Sequence, residues 1–475
     1  KLREDLDQEQ EAVLDWFLQA VRRNNQTTLA DVHAVFNEWM ELDDTRRIDV
    51  TLAVALSNQS PDLEPLWLIL IGPSGDGKTE QVRALRDPLE IGGLEEEAST
   101  KRISEITQNT LVSGMKGDDK DLAPKLEGKV ILIYDFATIL NLPSEAKRKV
   151  WGQLRELYDG EIGKQAGSGK DVDYKLDPPP SLIACSTPDI DNQIIQQQKL
   201  GTRELIYRLD RKQEEQVDEV LDQVLENHGQ LQEMRDDLSQ TVRDFLQDTE
   251  VDPDTELPDA VQEELKAQAK RLAVMRAQGD FDRYSNELMK DVSVEIPTRL
   301  VDQLKSLYIC LTSLSEDYGQ EKALSVIDKV VESSGEPRRE KIFAELQDRQ
   351  ETNAYRLSQS LRVSQKMVER DLQVLWNLGI VDKEQEERDG DQDDVTVWRL
   401  NEDHKMVETL TDEPPLREKI RQVLREEDDG DGVYYSTIFA AIDEPEDKIR
   451  EVLDGMLHDG EVFETPRAGT VKLNA

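Results

Sequence analysis

Leu66-Trp67-Leu68-Ile69-Leu70-Ile71 runs without a break into Gly72-Pro73-Ser74-Gly75-Asp76-Gly77-Lys78-Thr79. Six apolar residues in a row are short for a helix. They suit a strand covered on both faces of a parallel sheet, ending in a glycine-rich turn and then a helix. The eight residues that follow carry both glycines, the Lys and the Thr of a phosphate loop at the required spacing. Glycines let main-chain N–H groups turn inward on phosphate oxygens, and the next helix adds the positive end of its dipole. Lys78 would then reach the β and γ phosphates and the Thr79 hydroxyl would ligate Mg²⁺. Gly72, Pro73, Ser74, Gly75, Asp76, Gly77, Lys78 and Thr79 are therefore expected to hold ATP with Mg²⁺.

Two further apolar runs lie downstream. Val130-Ile131-Leu132-Ile133-Tyr134 ends at Asp135, and Ser181-Leu182-Ile183-Ala184-Cys185 ends at Ser186-Thr187. Buried strands alternating with helices imply a three-layer α/β domain, placed at residues 60–211. A carboxylate at the tip of the second strand can hold Mg²⁺ through water, so Asp135 is the expected metal ligand beside Thr79. Many phosphate-loop ATPases follow that Asp with a Glu that polarises the attacking water; this chain has Phe136. A base from elsewhere is then needed. Glu156 is the first candidate and Asp159 the second, each also readable as a solvated acid. Thr187 stands where a polar side chain can sense the γ-phosphate, with Ser186 as its rival and a strand cap as the plainer reading.

The order of phosphate loop, acid-tipped strand, helix, hairpin, polar-tipped strand and Arg-bearing segment over residues 48–211 resembles the AAA+ ATPase superfamily. Gly152-Gln153-Leu154-Arg155-Glu156-Leu157-Tyr158-Asp159-Gly160, with Pro124-Lys125-Leu126 and Gly128-Lys129, is similar to a set of plasmid, phage and integrative-element ATPases, and more distantly to minichromosome-maintenance helicases. The resemblance implies a P-loop NTPase (AAA+) core with a helical lid. It implies an arginine that completes a neighbouring subunit's site, here Arg203 after Gly201-Thr202, with Arg208 as alternative. It implies a lid arginine acting in cis, here Arg299 after Pro297-Thr298. A trans arginine requires a homo-oligomer, most simply a ring of six. The glycine-rich stretch Gly163 to Lys170 matches a pore hairpin, whose Lys164 and Lys170 would grip the DNA backbone without reading sequence. Phe136 departs from the family pattern.

Outside this core, residues 1–59 carry two amphipathic patterns, Val13, Trp16, Phe17, Ala20, Val21 and then Val32, Val35, Phe36, Trp39, Met40, with Thr28 as a cap for the second. Residues 212–335 are expected as a polar helical lid or linker domain, interrupted at Pro253 and Pro258. Residues 336–402 and 413–475 each follow a helix, helix, helix, strand-pair plan, the plan of a winged helix-turn-helix. In the first, the stretch 365–378 would be the groove-reading helix. Arg356, Arg362, Lys366 and Arg370 cluster there, so Arg362, Lys366 and Arg370 are candidate DNA contacts. In the second, Lys448 and Arg450 are outnumbered by Asp443, Glu444, Glu446, Asp447 and Glu451, which favours a protein partner.

Asp and Glu number 102 against 59 Lys and Arg, a net charge of -43. The acids are spread through every segment, as in proteins of a halophilic cytoplasm, where a Debye length of roughly 3 Å at molar salt screens self-repulsion. Two cysteines, Cys185 and Cys310, make neither a disulfide framework nor a metal site. No run of about 18 apolar residues spans a membrane, and no secretion signal stands at the N-terminus, so a cytoplasmic home is expected. Three functions fit: a ring-forming ATPase of helicase or translocase type that acts on DNA in replication of a mobile element or virus; an ATP-regulated DNA-binding regulator or origin binder with weak hydrolysis; and an ATP-binding protein that reads protein partners.

Overall fold

The structure, a computed structural model, describes residues 26–40, 42, 44–91, 98–107, 109–112, 121–164, 171–191, 203–210, 212, 214–282, 284–386, 395–404, 406–407, 416–428, 432–442, 446–458, 461–465 and 469–473. The expected helix at Val13–Val21, Lys170 and Gly201-Thr202 lie outside the described residues. The chain divides into two units, residues 1–269 with 297–334, and residues 270–296 with 335–475. The segment 212–335, expected as one lid, is thus shared between them.

The first unit opens with α1 (Leu29–Trp39) and α2 (Arg46–Leu56). Thr28 caps α1 reciprocally: its hydroxyl accepts from the Asp31 amide at 3.2 Å while the Asp31 carboxylate accepts from the Thr28 amide at 2.8 Å. There follow β1 (Trp67–Ile71), α3 (Lys78–Ala84), β2 (Thr100–Arg102), β3 (Val130–Ile133), α4 (Ser144–Tyr158), the hairpin β4 (Glu161–Lys164) and β5 (Val172–Lys175), β6 (Ser181–Ser186) and β7 (Glu204–Arg208). Next come α5 (Glu214–Glu226), α6 (Leu231–Asp248), α7 (Asp259–Arg276), which crosses into the second unit, α8 (Thr298–Thr312) and α9 (Gln320–Ser334).

Five strands form one parallel sheet in the order β2-β3-β6-β1-β7. Every residue of β1, β3 and β6 is buried, which accounts for the unbroken apolar sequence of β1 and β3 and for the apolar run Leu182–Cys185 within β6. Trp67, Ile69 and Ile71 face one layer with Ile131, Ile133, Leu182 and the α4 residues Val150, Trp151 and Leu154. Leu68 and Leu70 alternate to the other face, where α2 packs on β1 and β6. At the β7 edge, Ser334 Oγ accepts from the Ile206 amide at 2.7 Å and Ser333 Oγ from the Arg208 amide at 3.1 Å. The end of α9 therefore satisfies edge donors that would otherwise invite another strand.

The second unit contains two small modules. The first joins α10 (Pro337–Arg349), β8 (Glu351–Asn353), α11 (Ala354–Ser360), α12 (Gln365–Asn377), β9 (Val381–Glu386) and β10 (Val395–Leu400), with an antiparallel sheet ordered β8-β10-β9. Ile342, Leu346, Leu357, Val368, Leu372, Leu375 and Trp398 share its core. The second repeats the plan with α13 (Leu416–Glu427), β11 (Val433–Tyr434), α14 (Tyr435–Ala441), α15 (Glu446–His458), β12 (Val462–Glu464) and β13 (Thr470–Leu473). Its sheet runs β11-β13-β12 around Ile420, Leu453 and Val471. Among the described residues, no helix is long and apolar enough to cross a membrane. Cys185 and Cys310 are buried free thiols, each pushed up to about 12 by burial.

Candidate functional site

A parallel sheet gathers the carboxyl ends of its strands on one edge, and the register shows what stands there. Ile71 pairs with both Ser186 and Arg208, and Ile133 pairs with Ala184. Gly72, Ser186-Thr187 and Asp135 therefore share that edge, with Asp135 two strands from β1, about 10 Å across the sheet. The amide of Gly72 donates to the Ser186 carbonyl at 3.3 Å and that of Phe136 to the Cys185 carbonyl at 2.8 Å, which ties the loop and the acid to the same middle strand.

The loop itself is built from backbone that needs glycine. Gly75 has φ +92° and Gly77 φ +71°, in the left-handed region where a side chain is strained. A Cβ on Gly77 would also stand 2.2 Å from the Met40 Cε, and one on Gly72 3.0 Å from Leu209 Cδ1. Gly77 ends the turn and α3 starts at Lys78. The Lys78 ammonium curls back over the loop and donates to the Gly72 carbonyl at 2.9 Å and to the Pro73 carbonyl. Burial holds its pKa below the ordinary lysine value, against the pull of the nearby Asp76 carboxylate.

Asp135 is exposed at the strand end. One of its oxygens accepts from the Ala137 amide at 3.0 Å. The Phe136 side chain turns the other way, into the core, edge-on to Trp151. Residue 136, at the position where many phosphate-loop ATPases carry a water-polarising Glu, thus points away from the loop. Thr79 is half-buried on the first turn of α3. Thr187 is half-buried and precedes a short 3-10 turn, Pro188–Ile190.

Sequence reasoning missed a brace beneath the loop. Arg47 of α2 donates through Nε to Gln81 at 2.7 Å and through a terminal nitrogen to the Asp76 carbonyl at 3.0 Å, and its guanidinium lies 3.9 Å from the Asp76 carboxylate. Gln81 returns bonds to the Arg47 carbonyl at 2.8 Å and the Thr51 hydroxyl at 2.7 Å. The one available signal was an acid inside a loop shaped for anions.

The loop has what a phosphate chain would require, left-handed glycines and an ammonium folded onto it, with the Thr79 hydroxyl on the next helix and the Asp135 carboxylate on the same sheet edge where they could hold Mg²⁺. No protein-family model matches the chain, and no curated protein matches it by sequence. Among solved structures it is similar to a candidate ATPase from Cytophaga hutchinsonii, at 12% identity and TM-score 0.37 over 67% of this chain and 89% of that one. It is similar also to the apo C-terminal region of NrS-1, at 12% identity and TM-score 0.28 over 79% of this chain and 76% of that one. Likeness at this level adds nothing to what the geometry says.

Several other expected site residues lie elsewhere. Trp67 pairs with Glu204, so Arg203, just before β7, stands at the opposite edge of the sheet, roughly 16 Å from the loop at strand rise. It is 9% exposed and bidentate to Asp159, at 3.1 and 2.6 Å, with its guanidinium 5.7 Å from the Tyr158 ring centroid. Because α4 runs back across the sheet, its last turn reaches that same far edge. Tyr158 packs on Trp67 and bonds Glu64 at 2.9 Å, and the exposed Glu156 is two residues earlier. Arg299 acts electrostatically on Glu64 and Tyr158, and Gln303, one turn on, bonds the Tyr158 hydroxyl at 2.8 Å. Within one chain, Glu156, Asp159, Arg203 and Arg299 are therefore not brought to Lys78.

Arg208 stays at the loop edge but is bidentate to Asp191, at 3.1 and 2.7 Å. Lys164 folds onto Asn109 at 2.9 Å, rather than standing clear at a hairpin tip. In the second unit, Arg356, Arg362 and Lys366 are exposed. Arg370 is instead held by Asn286 at 2.5 Å, 5.3 Å from the Phe281 ring centroid. Residues 278–282 and 284–293, paired by bridges Gln278–Ser293 and Phe281–Leu288, lie against α12, where the Val292 amide bonds Asn377 at 2.7 Å.

Proposed function

We propose that the first unit binds ATP with Mg²⁺ at Gly72–Thr79 and hydrolyses it slowly, in an assembly of several copies that acts on DNA. One observation carries the nucleotide reading: left-handed Gly75 and Gly77 in front of Lys78, on the sheet edge that Asp135 shares. In that reading the loop amides and Lys78 bind and orient the phosphates, and Thr79 and Asp135 hold the metal. Mg²⁺ held there would neutralise charge that builds on the triphosphate during transfer of the γ-phosphoryl group to water.

The assembly reading is supported by the division of residues between two sheet edges. Lys78, Asp135 and Thr187 lie on one, and Arg203 with Asp159 on the other. A neighbouring copy that offers its far edge to this loop would bring an arginine and carboxylates to a site whose own residue 136 supplies no base. The DNA reading draws on the two modules of the second unit, which we take as winged helices, and on the exposed cations Arg356, Arg362 and Lys366. The buried Phe136 also suits a second reading, in which slow turnover times a DNA-binding regulator.

The test is hydrolysis and Mg-ATP binding in low and molar KCl, with and without single- and double-stranded DNA, beside mass measured with and without nucleotide. Lys78→Ala is expected to abolish binding. Hydrolysis that rises with DNA supports the motor; tight duplex binding with turnover indifferent to DNA supports the regulator. A folded protein with no affinity for Mg-ATP removes both.

A further inference from the structure

An acid inside a phosphate loop is an electrostatic oddity. A carboxylate in a loop that is to hold a polyanion opposes binding, since like charges at close range repel. Asp76 occupies such a position, with its side chain 7% exposed. Arg47 comes from a helix some thirty positions earlier in the chain and is equally hidden, at 6% exposure of its side chain. Its guanidinium meets both the carbonyl and the carboxylate of Asp76 and grips Gln81 on the first helix after the loop. Burial alone lowers the Arg47 pKa and Asp76 opposes that drop. The same guanidinium acts against protonation of Lys78, where Asp76 favours it. The Arg47 and Lys78 cations and the Asp76 carboxylate are thus electrostatically coupled at the loop, with Arg47 beneath it and Lys78 folded over it.

We propose that Arg47 is a positioning residue for the phosphate site: it neutralises Asp76 and pins the loop in its phosphate-accepting shape. This rests on the nucleotide reading above and extends it to α2. Being buried, the pair keeps its effect at salt concentrations that screen exposed charges. Asp76 in turn sets an upper limit on affinity, since the loop would hold a polyanion more tightly without it. The helix carrying Arg47 also bears Asp49, fully buried and bonded to Tyr318 at 2.8 Å, to Lys322 at 3.0 Å and to His33 at 2.6 Å. The brace is therefore anchored to α1 and α9 and does not move alone.

Calorimetric titration with Mg-ATP on Asp76→Asn, Arg47→Gln and the double variant tests this, with thermal melting to confirm folding. Asp76→Asn is expected to bind roughly threefold or more tighter than wild type, because a negative charge leaves an anion site. Arg47→Gln is expected to bind about tenfold or more weaker, and the double variant to recover most of that loss. A strut without an electrostatic role predicts a double variant no better than Arg47→Gln, which would overturn the assignment. If Arg47→Gln does not fold, Asp76→Asn decides alone: affinity equal to or below wild type overturns it. A wild-type chain that binds no Mg-ATP ends the nucleotide reading and this one together. Wild-type binding with an indifferent Asp76→Asn ends only this one.

Discussion

Phe136 meets Trp151 edge-on inside the α/β core, with ring centroids 5.7 Å apart and planes at 67°. Residue 136 is 2% exposed and residue 151 is 3% exposed. Restoring an acid by Phe136→Glu is therefore expected to fail: the carboxylate would be buried without a partner, which costs several kcal/mol. Phe136→Ala is expected to cost about 3–5 kcal/mol through the cavity it leaves. Chemical denaturation and ATP turnover check both; a stable, faster Phe136→Glu enzyme would contradict the placement.

Gly77 and Met40 make a second pair. Gly77→Ala must adopt φ +71° and displace the Met40 methyl, 2.2 Å from the new Cβ. The backbone part costs about 1–2 kcal/mol. Adding Met40→Ala should relieve the clash and leave the backbone cost. Melting curves of the single and double variants separate the two contributions.

Lys78 has its pKa lowered chiefly by burial. With the folded value below the unfolded one, the folded state gives up its proton first. The cost of burying the charge is present below the folded pKa, and stability rises with pH between the two values. Nucleotide affinity runs the other way, because an uncharged amine no longer attracts phosphate. Log affinity for Mg-ATP is expected to begin falling below pH 10.5, the ordinary lysine value. A flat profile to that pH would contradict the burial.

Arg203 stands at the far sheet edge from Lys78. Arg203→Ala breaks its pair with Asp159, whose side chain is 48% exposed, so the stability loss is about 1 kcal/mol. If Arg203 serves a neighbour, the variant binds ATP and does not hydrolyse it. Mixing it with Lys78→Ala then restores activity, since some interfaces combine an intact loop with an intact arginine. A mixture as inactive as its parts would leave Arg203 a structural residue.

Arg362 and Lys366 are exposed while Arg370 is held by Asn286. The double variant Arg362→Ala with Lys366→Ala is expected to weaken duplex binding and flatten the slope of log affinity against log salt by about 0.9 per lost phosphate contact. Arg370→Ala should leave that slope unchanged and lower the melting temperature of the second unit. The reverse pattern would place the DNA face on the Arg370 side of α12.

The unbroken run Leu66–Ile71 and the spacing Gly72 to Thr79 were sufficient to place a buried strand, a phosphate-shaped turn and a helix, because each depends on residues within one or two turns of chain. Asp135 and Thr187 were legible for the same reason: a polar residue at the tip of an apolar run marks a strand end. The sequence alone thus determined the three central strands, the loop and the helix that follows it. The tertiary structure alone decided which charges meet. Arg47 reaches Asp76, Asp159 takes Arg203, Asn286 takes Arg370, and Phe136 turns toward Trp151. Charge pairing depends on distance in space, which a folded chain sets through packing between segments far apart in sequence, and no local pattern encodes it.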